Sequence, residues 1–263
     1  MVKNLKNLNQ MNQNLNQNKF NVGYRVGFNG LLPDKTLALP GFMALTQEAS
    51  LFHTFSIPNA FDYYDEMNWV WVLTHWQVEV AGYPKVGDEI NISTWPVRFK
   101  GYFGERGFEA VDAAGGQLLA ANSNWILLDR NTLKPVRPTE YICAKYGENY
   151  PFLVEKDFGL PKHDDFEMLS SHNYITSRRD IDTNRHVNNV KYLEWVYCYI
   201  PEEIYHNYRA KSLKVAYKKE TLLGDHIEIK LFQRKNGDDI EIFSVIERDG
   251  QVSTEIYMLW KLI

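Results

Sequence analysis

The sequence predicts an α+β fold of two similar halves, each a helix followed by an antiparallel meander. Three observations predict it. The chain repeats itself: VGDEINIST (86 to 94) and LGDHIEIKL (223 to 231) both set Gly-Asp ahead of an alternating strand. Ile90 and Ile92 mark that strand in one copy, Ile227 and Ile229 in the other. Helical spacing of apolar residues occurs ahead of the strands in each half. Hairpin signals separate the strands at AAGG (113 to 116), KNGD (235 to 238) and RDGQ (248 to 251).

The elements follow in chain order. Residues 1 to 18 are rich in Asn and Gln, low in complexity, and lack the apolar core of a signal peptide; they read as a tail. The first unit runs from 19 to 135. Its helix lies in PGFMALTQEASLF, with Phe42, Leu45, Ala49 and Phe52 on one stripe. Strand residues Trp76, Val78 and Val80 follow, then the Gly-Asp strand, and GGQLLAANSNWILL closes the unit. Residues 136 to 168 lose periodicity and gather Pro and charge, which predicts a linker crossing the surface. The second unit, 169 to 263, repeats the order. Val190, Leu193, Tyr197 and Ile200 form the helix stripe, and Leu213, Val215 and Tyr217 stand where Trp76, Val78 and Val80 stand. DGQVSTEIYMLWKLI matches the closing strand of the first unit. A long helix followed by a meander packs most simply with the sheet curled around the helix, burying its stripe.

Composition narrows the function. With 44% hydrophobic residues in 263, the chain can fill a sizeable core. A net charge of -4, with no basic tail or nucleic-acid motif, gives no ground for a DNA or RNA binder. Cys143 and Cys198 form neither a disulfide framework nor a metal site, and reduced thiols point to the cytosol. No apolar run approaches the roughly 20 residues of a membrane span. His53, His75, His163, His172, His206 and His226 are scattered without ligand spacing, so no metal or other cofactor is expected.

Chemistry concentrates in DIDTNRHVNNVKYLEW (180 to 195), just ahead of the second helix. Asp182, Asn184 and His186 fall at alternate positions, and in an extended segment all three face one site. Asn188 and Asn189 stand at the helix start, where Asn is a favoured cap and free backbone N–H groups favour negative charge. An oxyanion held there would meet donors already in place. Sliding the second helix onto the first sets Asn184 on Thr36, His186 on Ala38, and the Asn pair on Pro40 and Gly41; Asp34 matches Asp182. The first copy therefore lacks the polar cluster, which favours function over capping and predicts one active site per chain. Glu220, after the strand in LKVAYKKETLLGD, takes the place of Tyr83; by itself it reads as a solvated acid balancing Lys218 and Lys219.

RRDIDTNRHVNNVKYLEW resembles the signature of the acyl-acyl carrier protein (acyl-ACP) thioesterases of plant plastids and bacteria, in every residue of Asp-x-Asn-x-His-Val-Asn-Asn-x-Lys-Tyr. The resemblance extends to WVWVLTHWQVEVAGYPKVGDEINISTW and to LKVAYKKE, covering the chain from Phe20 onward. It implies a tandem hot-dog fold, two helix-wrapped antiparallel sheets in one chain. It implies hydrolysis of the thioester joining a fatty acyl chain to the phosphopantetheine of acyl carrier protein. It implies catalytic roles at the positions of Asp182, Asn184, His186 and Glu220. Plant members often carry Cys after the Glu; Thr221 stands here, which puts a papain-type mechanism in doubt. Without the plant transit peptide and hydrophobic stretch, a bacterial cytoplasmic enzyme is expected.

Two routes then stand open. Either Asp182 or the Glu220–His186 pair acts as general base on water, or the Asp182 carboxylate attacks directly and an anhydride is hydrolysed. In both, Asn184 orients a reactant and N–H groups near Asn188 and Asn189 hold the oxyanion. Phe42, Leu45, Ala49, Trp71 and Trp76 are candidates for an acyl tunnel, though each also suits plain core. Arg178, Arg179, Arg185 and Lys191 flank the motif, and Lys211, Lys214, Lys218 and Lys219 lie near Glu220; the acidic carrier protein would dock on such a patch. Alternatives are an acyl-CoA thioesterase, a hot-dog hydratase or dehydratase on acyl thioesters, and a non-catalytic acyl-binding protein. With two units already joined, a monomer or a homodimer is feasible.

Overall fold

The computed structural model describes residues 19 to 147 and 150 to 263; the predicted tail, 1 to 18, lies outside the described residues. Ten antiparallel strands form one sheet. In the first half these are β1 (Phe20–Arg25), β2 (Trp69–Val80), β3 (Glu89–Lys100), β4 (Phe103–Asp112) and β5 (Gln117–Asp129). The second half supplies β6 (Glu167–Ile175), β7 (Tyr208–Tyr217), β8 (His226–Asn236), β9 (Asp239–Arg248) and β10 (Gln251–Leu262). Their order, β1-β3-β4-β5-β2-β7-β10-β9-β8-β6, reads as one five-strand pattern and its mirror. The halves join at β2 and β7, where Trp76 faces Val215, Gln77 faces Lys214 and Val78 faces Leu213. Gln77 and Lys214 are repeat-equivalent, and the pairs on either side of them exchange under the repeat, so a pseudo-twofold axis passes between Gln77 and Lys214.

The helices are α1 (Leu39–Ser56), α2 (Ala60–Glu66), α3 (Glu140–Tyr146), α4 (Asn189–Cys198) and α5 (Glu202–Asn207). α1 and α4 are the two wrapped helices and pack against each other. Phe42, Met43, Tyr192, Leu193 and Val196 join residues of β2, β7 and β8 in one core spanning both halves. This is the double hot-dog arrangement: each half of the sheet closes over its own helix stripe, and the two share an interior.

Four details differ from the sequence reading. A strand precedes the helix in each half: β1 and β6 are the sheet edges, too short and half-exposed to stand out by periodicity. The linker carries α3, capped by the Thr139 hydroxyl on the Ile142 N–H and anchored by buried Ile142 and Tyr146. The stripe of α1 turns so that His53 is buried and Phe52 is exposed. Finally, the register of the two helices slips by two residues. Leu32 N–H bonds Thr36 O as Asp182 N–H bonds His186 O, and Lys35 and Arg185 share left-handed φ values of 68° and 67°. His186 therefore corresponds to Thr36, Asn184 to Asp34, Asp182 to Leu32, and the Asn188–Asn189 pair to Ala38 and Leu39. The apolar stripes alone mis-set this register because both helices bury wide, mixed faces.

The linker crosses the outer face of the sheet at the pseudo-axis. Gln77 accepts from the Asp157 N–H (2.9 Å) and donates to Glu155 O (2.8 Å), and Lys214 donates to the Asp157 carboxylate (2.5 Å). Alternation along β2 and β7 puts Gln77 and Lys214 opposite the core residues Trp76 and Val215. No helix among the described residues is long and apolar enough to cross a membrane.

Candidate active site

Two loops of the second half meet at the start of α4. The first, 176 to 188, begins with a short helical turn, Arg178–Asp180, closed by a reciprocal cap between Ser177 and Asp180. Asp180 is buried and accepts from the Ser177 N–H (2.7 Å), the Ser177 hydroxyl (2.7 Å) and the Tyr174 hydroxyl (2.9 Å). Burial works to raise its carboxyl pKa, but these donors, with Trp195, outweigh it and hold it below the usual range. Asp180 O also takes the Asn188 N–H at 2.8 Å, fixing where the helix starts.

Between these anchors, 182 to 186 is a tight turn and not an extended segment. Ile181 bridges Val187, and the Arg185 N–H bonds Asp182 O. One Asp182 carboxylate oxygen accepts from the Asn184 N–H at 2.8 Å, so it is engaged in holding its own turn. Asn184 is exposed. Simple alternation therefore does not converge the three side chains.

The second loop, 218 to 225, brings Glu220. Val187 N–H bonds Thr221 O (2.9 Å), lacing the loops together, and the Thr176 hydroxyl bonds Leu222 O (2.5 Å). Arg248, at the end of β9, donates to Glu220 O (3.0 Å) and to the Asp225 carboxylate (2.8 Å). Across this lacing the His186 Nε2 and a Glu220 carboxylate oxygen lie 3.3 Å apart, both side chains nearly half exposed. Thr221 is fully buried beside Tyr192, a structural position.

At the helix start the Asn188 side chain accepts from the Val190 N–H (2.9 Å), an ordinary N-cap. The Asn188 N–H is spent on Asp180, so it is no oxyanion donor. Asn189, the first helical residue, accepts at its carbonyl from the Tyr217 hydroxyl (2.9 Å); its N–H has no protein acceptor among the described residues.

The other candidates scatter. Phe42, Ala49 and Trp76 are buried in the shared core with Leu45 against it, whereas Trp71 belongs to a separate cluster and donates to the Tyr64 hydroxyl (2.9 Å). Two crevices among the described residues, of about 400 and 300 Å³, are lined by residues of the first half and the linker, away from Glu220. Of the basic candidates, Lys191 pairs with Glu194 (2.6 Å), Lys218 with Glu255 (2.7 Å) and Lys219 with Gln251. Lys214 sits on the outer sheet face, bound to Asp157. Arg178, Arg179 and Arg185 are exposed and make no ion pair among the described residues. Those residues contain no cluster of three metal-ligating side chains.

Asp180, Thr176, Tyr217 and Arg248 were missed by sequence reasoning. Only Asp180 carried a local signal, the Ser-x-x-Asp capping box at 177 to 180.

Two models of one family cover this architecture. The acyl-ACP thioesterase N-terminal domain matches residues 17–146, and its C-terminal domain matches residues 163–262. The chain belongs to the acyl-ACP thioesterase family. It is 32% identical over 200 residues to a chloroplastic acyl-[acyl-carrier-protein] hydrolase of Cuphea viscosissima, covering 71% of this chain and 48% of that one. It is 28% identical over 222 residues to the chloroplastic oleoyl-acyl carrier protein thioesterase 2 of Arabidopsis thaliana, covering 78% and 59%. The chain thus spans about half the length of the curated relatives it matches. Its fold matches an acyl-ACP thioesterase from Bacteroides thetaiotaomicron (TM-score 0.82, 20% identity, 94% of this chain and 99% of that). It also matches the 12:0-ACP thioesterase from Umbellularia californica (TM-score 0.83, 19% identity, 93% and 94%).

Proposed function

We propose that this acyl-ACP thioesterase family member hydrolyses fatty acyl-ACP, releasing a free fatty acid and ending elongation of the chain. The observation that carries the reading is the His186–Glu220 contact, formed across two laced loops at the start of α4 and open to solvent. With the Glu220 carboxylate 3.3 Å from Nε2, the neutral ring carries its proton on that side and leaves Nδ1 as the basic nitrogen. Water at Nδ1 attacks the thioester carbonyl carbon and gives its proton to the imidazole. The Glu220 carboxylate stabilises the imidazolium. The tetrahedral oxyanion, held by donors such as the Asn189 N–H, collapses and expels the thiolate, which takes the proton back from Nδ1. Acid and thiol are the products. General-base attack is favoured over direct attack by Asp182, because an Asp182 oxygen is committed to the Asn184 N–H. Asp182 and Asn184 shape the turn that presents His186.

Arg178, Arg179 and Arg185 give the unneutralised basic surface beside the site, where an acidic carrier protein would dock. The lysines contribute less, being paired. Such an enzyme works in the cytoplasm, where the carrier protein is charged and extended.

The test is free-thiol release from a panel of acyl-acyl carrier proteins, with wild type beside His186→Ala and Asp182→Ala. Release lost in both variants supports the reading, and release that survives His186→Ala refutes it. An acyl-CoA of matched chain length, run at rising salt, reports docking: only the carrier-protein rate should fall.

A further inference from the structure

We propose that the crevice between β1, the end of α1 and α3 is a second binding site, for the carboxylate of a short-chain fatty acid. Its basis is a half-buried cation that no carboxylate among the described residues neutralises. Arg106, on β4, is half-buried in the first half. Its Nη1 donates to His53 Nδ1 (2.8 Å) and to the Thr94 hydroxyl (3.1 Å), and its guanidinium lies 5.7 Å from the centre of the Tyr146 ring. Among the described residues no carboxylate pairs with it. The field of such a guanidinium reaches into the space that adjoins it.

His53 carries that field to the crevice. Arginine only donates, so Nδ1 must accept, and the neutral ring bears its proton on Nε2. The ring stays neutral at ordinary pH: burial, and then the Arg106 charge, pull its pKa down to about 3. His53 lines the crevice as an N–H donor polarised from behind by Arg106.

The rim and walls define the ligand. Lys19 and Lys145 lie on the rim, and among the described residues no acidic side chain lines the crevice. Lys19 is loosely held, 3.4 Å from a Glu109 oxygen and 4.3 Å from the Trp95 ring centre, and so is free to turn to an anion. Phe20, stacked on His53 at 5.4 Å, forms an apolar wall with Ile57 and Pro58. One anionic head and an apolar body fit this lining; a bare inorganic anion would leave the walls unused. The volume, about 300 Å³, suits a short chain. A fatty carboxylate is also the product class of the hydrolysis proposed above, and that link rests on the thioesterase reading while the binding does not.

The experiment is calorimetric titration of octanoate, octanol and inorganic phosphate into wild type, the double variant Lys19→Ala/Lys145→Ala, and His186→Ala. Octanoate should bind wild type and His186→Ala alike, and about tenfold more weakly to the double variant, whose folding is checked by thermal melt. Octanol should bind neither form through this crevice and show no difference between them. Equal octanoate affinity in wild type and the double variant overturns the proposal. So does phosphate binding as tight as octanoate, which would make the crevice a plain anion site. Arg106→Met, checked for folding by thermal melt, should lose octanoate binding as the double variant does; unchanged binding there also overturns it. Thiol release by wild type and His186→Ala tests the thioesterase reading separately.

Discussion

Arg248→Met should slow the proposed hydrolysis without abolishing binding. Arg248 makes two charge-assisted hydrogen bonds, to Glu220 O at 3.0 Å and to the Asp225 carboxylate at 2.8 Å. A hydrogen bond to or from a charged group contributes roughly 1.5–3 kcal/mol when shielded from solvent. Both partners of the ion pair are about a quarter exposed, with side-chain accessibilities of 22% and 24%. Solvent screening therefore brings the two bonds together to about 2–3 kcal/mol. In a chain of this size that loss lowers Tm by about 5–10 °C.

The loop stays folded, because the Thr176 hydroxyl still holds Leu222 O and the Val187 N–H still holds Thr221 O. Glu220 itself loses its backbone anchor. Its carboxylate reaches His186 at 3.3 Å, with little slack, and a displacement of about 1 Å can cost on the order of a hundredfold in rate. The expected outcome is a kcat about 10- to 100-fold lower with KM within about threefold, and partial rescue by Arg248→Lys. Single-turnover thiol release and a thermal melt measure both terms. In a Glu220→Gln background, Arg248→Met should lower kcat no further, since both act through one carboxylate. A melt shifted as expected with kcat unchanged would refute the claim that Arg248 positions a working Glu220.

Other predictions are independent. Asn188→Ala should lose about 1 kcal/mol in urea unfolding, for one helix cap, and keep activity within about tenfold if the side chain only caps. Gly107→Ala places a methyl 2.6–2.7 Å from the buried Trp95 ring and should destabilise by about 1–3 kcal/mol, read from the urea midpoint. Asp34 gives a pH signature. Burial works against its ionisation, but Thr36 and Arg209 outweigh that and pull its pKa from 3.8 down to about 2. The folded state is favoured by this group above about pH 4, and the contribution is lost as pH falls from about 4 towards 2. Melts between pH 5 and pH 2 should therefore show a shallower acid decline in Arg209→Met than in wild type.

Much of the fold was legible because it is written twice. Gly87-Asp88 and Gly224-Asp225 mark the same turn, and the strands that follow alternate in step. The edge strands were not legible, because a short strand with one neighbour leaves a weak pattern. For the site, the Asp-x-Asn-x-His motif located the loop, but its geometry was misread. Alternation holds only for extended backbone, and Arg185 at φ 67° breaks it. Glu220 was unremarkable locally, since the approach to His186 depends on Arg248 and Thr176, which lie far away in sequence.

The register slip sharpens the reason for one site per chain. At the place of Glu220 the first half has Tyr83, whose hydroxyl donates to Ala210 O at 2.6 Å. At the place of Asn184 it has Asp34, joined to Arg209 at 2.6 Å, and at the place of His186 it has Thr36, donating to the same carboxylate. Arg209 comes from β7 of the other half and is itself buried. The equivalent loop is therefore used as a clasp between the halves, with its polar groups satisfied internally. In the second half the equivalent groups are left half exposed, and the loop is held from beneath by Asp180, Thr176 and Arg248. One loop scaffold thus serves two ends. Where its polar groups close on each other the halves are joined, and where the anchors move below the surface His186 and Glu220 stay available to a substrate.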